Sequence, residues 1–259
     1  MPMLPSSSPS WFETWFDHPY YLDVYRHRDS REALQCVATI SAFCRFPPLT
    51  STRKRSVLDI ACGNGRHAIE FAKNGFAVTG NDLSPSLLRE AQNDATAQQL
   101  EIAFTNHDMR TIPLTRQYDL VVQLFTSFGY FDHDADDHRV LANACSLVAE
   151  DGWYVLDLIN ARHLQKHLQP FSTRQCGTLT VSEQRTLSQR HVKKTIAISA
   201  PDAETITFTE QVRLYETEEI NAMLHDAGFR IVQTAGNYDG SRFDAATSPR
   251  MMIFCQKGR

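Results

Sequence analysis

Between Val57 and Ala68 the chain reads Val-Leu-Asp-Ile-Ala-Cys-Gly-Asn-Gly-Arg-His-Ala. A short apolar run, broken by one acid, meets two glycines and then Ala68, Ile69, Phe71 and Ala72 at helical spacing. Gly63 and Gly65 let the backbone turn sharply and leave no Cβ between it and a ligand. The amides that open the following helix point to the same place. A strand, a glycine turn and a helix in this order predict a chain that alternates strands with helices.

The rest of the first 160 residues keeps that alternation. Gly75 closes the first helix and Phe76 to Gly80 reads as a second strand. Ser84 caps a helix with Pro85 at its first position. Ile102-Ala103-Phe104 is a third strand and Tyr118 to Phe125 a fourth. Val140, Leu141, Ala144, Leu147 and Val148 lie on a helix that stops near Gly152, and Trp153 to Ile159 is a fifth strand. After a helix opened by Thr217 and ended by Gly228, Phe229 to Ala235 and Met251 to Gln256 add two strands. The expected fold class is α/β, a doubly wound, mostly parallel seven-stranded sheet with a small antiparallel β insert. Ligands of such sheets bind beyond the carboxyl ends of the strands, at the switch point.

Four segments are expected. Residues 1–10 are a Pro- and Ser-rich flexible tail without the features of a signal peptide. Residues 11–50 form an N-terminal helical cap, aromatic from Trp11 to Tyr25, with a capping-box-like Asp29 and Glu32 before Leu34, Val37, Ile40 and Phe43; Pro47-Pro48 ends that helix. Residues 51–169 and 216–259 make the ligand-binding domain. Residues 170–215, with Thr178 to Val181, Arg190 to Ser199 and Thr205 to Phe208 as strands, form an antiparallel lid insert.

Charge narrows the function. The chain has 26 basic and 30 acidic residues, a net of −4, where a nucleic-acid binder carries a basic surplus. No apolar run approaches the roughly 20 residues of a membrane span. Six scattered cysteines show no metal-site spacing and suit a reducing cytosol. Cys62 reads as a small buried residue, and His163 and His167 lack a flanking acid for a metal pair. The partner implied is a small molecule, not nucleic acid or membrane; a homodimer is allowed, though nothing in the sequence requires it.

Three acids stand in order along the first three strands and their exits. Asp59 lies inside the first strand. Asp82, nineteen residues after Gly63, ends the second and can accept from both ribose hydroxyls. Asp108 follows the third and can accept from an adenine amino group, with Leu83 and Met109 on the ring faces. Together they make a nucleoside site. A nicotinamide enzyme is the first rival, because Gly63-x-Gly65-x-x-Ala68 fits the loose dinucleotide fingerprint. Asp59 within the strand and the closing antiparallel hairpin weigh against it.

On these residues the chain resembles the class I S-adenosylmethionine (SAM)-dependent methyltransferases. Val57 to Gly65 resembles their first motif, Asp82 their ribose acid, Asp108-Met109 their adenine pair and Tyr118 to Phe125 their fourth-strand motif. Phe125 to Phe131 and the tail Tyr238-Asp239-Gly240…Ser248-Pro249-Arg250 resemble a bacterial small-molecule subgroup akin to glycine and aminosugar N-methyltransferases. The Asn/Asp-Pro-Pro-Tyr/Phe stretch of the nucleic-acid branch is replaced here by Leu124-Phe125-Thr126-Ser127.

The resemblance implies a Rossmann-like methyltransferase fold and a cytoplasmic enzyme. That enzyme would move the sulfonium methyl group of SAM to N or O of a small metabolite, leave S-adenosylhomocysteine and need no metal. It implies cofactor contacts from Asp59, Ala61, Gly63, Gly65 and Arg66, from Asp82, Leu83, Asp108 and Met109, and from Leu124 and Phe125. A leading helix with Tyr21, Tyr25, Arg26 or Arg28 would close over the cofactor, Tyr21 and Arg28 foremost. Tyr130, His133 and Tyr238 are the catalytic candidates; Phe128, Tyr130 and Arg250 the substrate-pocket ones. Other SAM chemistry, aminopropyl transfer and a non-enzymatic SAM-binding module are the alternatives.

Overall fold

The computed structural model describes residues 9–25, 30–48, 53–113, 115–201 and 203–258. Three helices open the chain, α1 (Trp11–Phe16), α2 (Tyr20–Tyr25) and α3 (Ser30–Phe43). Strands and helices then alternate: β1 (Ser56–Ile60), α4 (Arg66–Lys73), β2 (Ala77–Asn81), α5 (Pro85–Ala97), β3 (Ile102–Thr105), β4 (Tyr118–Gln123), α6 (Asp134–Leu147) and β5 (Val148–Ile159). After α7 (Ala161–His167) come β6 (Phe171–Cys176), β7 (Leu179–Leu187), β8 (His191–Ser199) and β9 (Ile206–Arg213). The chain closes with α8 (Thr217–Asp226), β10 (Phe229–Ala235) and β11 (Arg250–Lys257).

Seven strands form one sheet in the order β10-β11-β5-β4-β1-β2-β3. Neighbours from β3 to β5 are parallel, and β11 alone runs against both of its neighbours. This is the mostly parallel seven-stranded sheet that the alternation predicts. The winding direction reverses between β1 and β4, so the carboxyl ends of β1, β2 and β4 open on one crevice.

Both faces of the sheet are covered, which is why its strands read as apolar runs rather than as alternating ones. Successive side chains still part by face. Leu58, Ile60, Val121, Tyr154 and Leu156 pack with α6 and α8 through Val140, Leu141, Ile220 and Leu224. Val57, Leu120, Val122 and Val155 pack with α3 and α4 through Val37, Ile40, Ala68 and Phe71. Fully burying one such side chain is worth roughly 1.5–3 kcal/mol relative to leaving it exposed.

The four strands β6-β7-β8-β9 make a separate antiparallel sheet. Its inward residues Leu179, Val181, Ile196 and Ile198 bury Trp15, Val24 and Tyr25 of α1 and α2. The tie is polar as well: Glu210 on β9 accepts from Trp15 Nε1 at 2.7 Å and from the Tyr25 hydroxyl, and pairs with Lys194 at 2.6 Å.

Several boundaries differ from the sequence reading. α6 stops at Leu147, and β5 starts at once, so Gly152 lies inside the strand. A Cβ there would lie 2.9 Å from the Tyr118 carbonyl, so the close approach of β4, not a turn, accounts for this glycine. β4 ends at Gln123, before a turn with positive φ at Phe125 and Thr126. β6 adds a strand that its polar sequence concealed. α3 ends at Phe43, four residues short of Pro47, and Leu34 is 57% exposed while Cys36 takes the buried place. Glu216, not Thr217, occupies the N-cap of α8. Asp29 lies outside the described residues.

Candidate active site

A single long turn organises the site. Leaving β1, the chain passes through positive φ at Ala61, Gly63 and Gly65 before α4 begins. Gly65 is the N-cap of α4 at φ 81, and a Cβ there would sit 2.9 Å from the Ala91 Cβ of α5. The glycine is therefore needed twice, for its backbone and for the packing of two helices behind the turn. Ser84 caps α5 through its bond from Leu87 N, with Pro85 at the first helical position, as the sequence implied.

Asp82 fastens the turn. Its carboxylate accepts from Gly63 N at 2.7 Å and from Ser84 N at 2.9 Å. Burial pushes its carboxyl up, against the pull of those backbone donors. Asp17, the C-cap of α1, accepts from Ser84 Oγ at 2.8 Å and Ser86 N at 2.9 Å, which brings the N-terminal helices onto the same corner. Asp108 lies across the crevice, held by Arg110 through bonds of 2.8 Å from its backbone N and 3.0 Å from its Nε. Burial raises the Asp108 carboxyl and the Arg110 bonds more than offset it, so it titrates below the usual carboxylate range.

These groups surround one cavity of about 550 Å³. Its floor is the turn after β1, with Asp59, Ala61, Cys62, Gly63, Asn64 and Arg66. One side carries Asp82, Leu83, Asp108 and Met109; another carries Leu124 and Phe125. The remaining wall is aromatic, with Phe12, Phe16, Tyr21 and Tyr25 from the N-terminal helices facing Tyr130 and Phe131. The rings interlock: Phe16–Tyr130 centroids are 5.7 Å apart and Phe12–Phe131 5.6 Å.

Two buried polar atoms at this cavity have no hydrogen-bond partner, Asp59 Oδ2 and His67 Nε2. Burial and then the charge of Asp82 push the Asp59 carboxyl up to about 8, although Ala68 N bonds it from below. Burial, with Arg66 and Arg250 nearby, pushes the His67 imidazole down to about 3, so it is neutral at pH 7. An orphaned carboxylate oxygen in a pocket is costly unless a ligand completes it. A ligand ammonium would do so here, while Asp82 and Asp108 are placed for hydroxyl and amino donors. The donor set thus fits an adenosyl group with an amino-acid tail. An anionic ligand would meet the acids of the floor and of one side.

Most of the residues expected at the cofactor line this cavity. Gly65 does not; it stands behind the turn. Arg26 and Arg28 lie outside the described residues. Four expected site residues are placed elsewhere. Phe128 is fully buried and packs on Tyr215, 5.3 Å between centroids. His133 is the exposed N-cap of α6, because the chain leaves the cavity wall after Phe131. Tyr238 is buried, donates to Asp157 at 2.8 Å and has its phenol pushed up by burial and that carboxylate. Arg250 pairs with Asp157 at 2.7 Å. Both belong to a layer beneath the wall, because antiparallel β11 enters between β5 and β10. Only Tyr130 of the catalytic and pocket candidates reaches the cavity.

Residues missed by sequence reasoning are Asp17, His67, Phe12 and Phe16. Their only signal was an aromatic-rich start and a histidine beside the glycine turn. Cys62 is buried beside the turn, its thiol pushed well above its ordinary value by burial and two acids. His163 and His167 stack on each other at 4.1 Å and bond backbone carbonyls. Among the described residues, no helix is long and apolar enough to cross a membrane.

Comparison with known proteins agrees with this geometry. The family model of a methyltransferase domain matches residues 57–152. A Geobacillus sp. (strain WCH70) protein, assigned provisionally by its name to the methyltransferases, is 26% identical over 210 residues, 78% of this chain and 85% of its own. The ubiquinone biosynthesis O-methyltransferase of Coxiella burnetii (strain RSA 493 / Nine Mile phase I) is 33% identical over 107 residues, 41% of this chain and 44% of its own. In fold, the chain is similar to the sugar N-methyltransferase KedS8 from Streptoalloteichus sp ATCC 53650, with a TM-score of 0.71 at 17% identity over 100% of this chain and 98% of the other.

Proposed function

The chain belongs to the class I SAM-dependent methyltransferases, and on that premise we propose that its cavity aligns a small metabolite for methyl transfer to nitrogen or oxygen. One observation carries this reading: the glycine turn, Asp82 and Asp108 border the same cavity as the aromatic wall. A cofactor and a flat or cyclic acceptor therefore have adjoining places. The net charge of −4 supports a metabolite rather than a nucleic acid as acceptor. The scattered reduced-type cysteines support a cytoplasmic site of action.

When bound, SAM supplies an electrophilic methyl group on a sulfonium. Asp59 is suited to the cofactor's ammonium, Asp82 to its ribose hydroxyls, and Asp108 with Met109 to its adenine. The aromatic wall excludes water and fixes the acceptor's orientation, and alignment of this kind supplies on the order of 7–11 kcal/mol in favourable cases. Tyr130, the catalytic candidate that lines the cavity, is suited to orienting the acceptor by its hydroxyl. His67, with a value of about 3, is a neutral hydrogen-bonding group and is not poised as a general base at pH 7.

The test is an isotope-transfer screen with methyl-labelled SAM against a bacterial metabolite extract. Label is expected in a small-molecule fraction, and Asp82→Ala should lower its rate by about tenfold or more, since it loses charged bonds to the cofactor and the Gly63 turn. Tight SAM binding without any labelled product would contradict transfer and favour a sensor.

A further inference from the structure

Tyr238 and Arg250 stand behind the cavity, and what they hold is part of its wall. After β4 the chain turns through Leu124 to Ser127. Leu124, Phe125 and Ser127 line the cavity, while Thr126 points away from it. Phe125 and Thr126 have φ 57 and 63, two consecutive left-handed residues without a glycine. Side chains with a Cβ keep that conformation only where their surroundings impose it.

The imposing group is Asp157 of β5, which is fully buried. Its Oδ2 accepts from Phe125 N at 2.8 Å, and its backbone carbonyl accepts from Thr126 N at 3.1 Å. Arg250, the first residue of β11, donates from Nε to Asp157 Oδ1 at 2.9 Å and from Nη2 to Oδ2 at 2.7 Å. The same Nη2 donates to Thr126 Oγ1 at 2.8 Å. Tyr238 adds its hydroxyl to Asp157 Oδ2 at 2.8 Å. The register of the antiparallel pair, Asp157 opposite Met252, puts Arg250 on the same face two residues along. The Phe125 ring has Arg66 Cζ at 5.0 Å and Arg250 Cζ at 5.9 Å from its centroid. The far end of the turn is tied by Gln123 Nε2, which donates to Ser127 O at 2.7 Å.

We propose that Arg250, through Asp157, is a positioning residue of the methyltransferase: the pair across β5 and β11 holds the Phe125–Thr126 turn left-handed and so sets the wall against which cofactor and acceptor align. None of Asp157, Tyr238 and Arg250 lines the cavity, so their influence passes through the turn. A lysine at 250 keeps the charge but cannot bond Asp157 twice and Thr126 once in one plane.

This inference rests on the cavity being the cofactor site, and calorimetry with S-adenosylhomocysteine separates the two ideas. Failure of the wild-type chain to bind would strike the proposed function itself. If the wild type binds, Arg250→Gln is expected to weaken affinity by about tenfold or more, and Arg250→Lys by a smaller factor. Thr126→Gly is then added to the Arg250→Gln chain. Glycine takes the left-handed conformation without restraint, so about half or more of the lost affinity, on a logarithmic scale, should return. Tyr238→Phe, which removes one hydroxyl and no charge, provides the same test in a gentler background: a loss of about twofold to fivefold, again reversed by Thr126→Gly. Wild-type affinity in Arg250→Gln, or a glycine that restores nothing in either background, would overturn the assignment, since where the ion pair is merely stabilising, removing the Thr126 side chain as well gives no route to regained binding.

Discussion

The two sheets of this molecule divide the work unequally. The central strands of the seven-stranded sheet are buried on both faces, and the site forms where the chain leaves β1, β2, β3 and β4. Every acid and glycine that borders the cavity comes from those exits or from α1 and α5. The four-stranded sheet contributes no residue to the cavity lining among the described residues. It alternates inward apolar with outward polar residues, leaves Phe171 66% exposed, and meets the site by holding α1 and α2 and, through the 2.8 Å bond from Arg213 N to Gly129 O, the loop before Tyr130. One sheet thus carries the ligand contacts, and the other sets how firmly the aromatic wall is pressed against them. A change in the first should act on binding directly, and the same change in the second only through stability or wall position.

The sharpest way to break this contrast is a pair of glycines. Gly65→Ala must hold φ 81 and push against Ala91 at 2.9 Å. Strain of roughly 1–3 kcal/mol plus overpacking of similar size should cost about a hundredfold in S-adenosylhomocysteine affinity and lower the melting temperature. Gly177→Ala, in the β6–β7 turn at φ 62 with open space around it, carries the backbone strain alone. Its affinity should stay within about twofold of wild type by calorimetry, because it lies in the sheet that does not touch the cavity. Equal losses at both positions would abolish the distinction.

The next largest effect is in pH. Asp59 has a raised value, about 8, through burial, so the ligand-free chain carries it protonated at pH 7. A cationic ligand group favours the ionised form. Affinity should therefore climb by about tenfold between pH 6 and pH 8 and level off above, with proton release measurable in buffers of different ionisation enthalpy. Asp59→Asn should flatten the profile. For stability the sign is opposite. A raised acid stabilises the ligand-free fold below its unfolded value near 4, and this is lost as pH rises through about 8. Asp59→Asn should then gain in melting temperature against wild type on going from pH 4 to pH 8.5.

A smaller effect is expected in the second sheet. Glu210→Gln breaks the pair with Lys194, both about 15% exposed, and weakens the hold on Trp15 and Tyr25. Denaturant unfolding should show a loss of about 1–3 kcal/mol, with S-adenosylhomocysteine affinity reduced only about threefold. A loss of binding as large as that of Gly65→Ala would place the four-stranded sheet in the ligand contacts after all.

The same division explains what could be read from the sequence. The parallel strands were legible because burial on both faces makes Leu120 to Val122 a continuous apolar run and leaves Val57 to Ile60 broken only by Asp59. The glycine turn and Asp82 were legible because their chemistry lies close together along the chain. β6 was not, since Phe171 to Cys176 is polar and half-exposed, with nothing in it to mark a strand. Tyr238 reads as a catalytic candidate and Arg250 as a pocket residue because proximity to the site is set by strand pairing, which the sequence does not show; the insertion of β11 beside β5 moves both one layer down. Asp17 was missed for the converse reason: it reaches the site only because Ser84, far along the chain, folds onto it. His67 stands beside the glycine turn, and only its burial at the cavity, which no sequence pattern shows, marks it.

The account depends on one ligand seated among the turn after β1, Asp82 and Asp108. A crystal structure of the chain with S-adenosylhomocysteine tests this most directly. The ribose should bond Asp82, the adenine lie between Leu83 and Met109 beside Asp108, and the ammonium reach Asp59 Oδ2. A ligand found in a different hollow, or one that leaves Asp59 and Asp82 without contact, would contradict it.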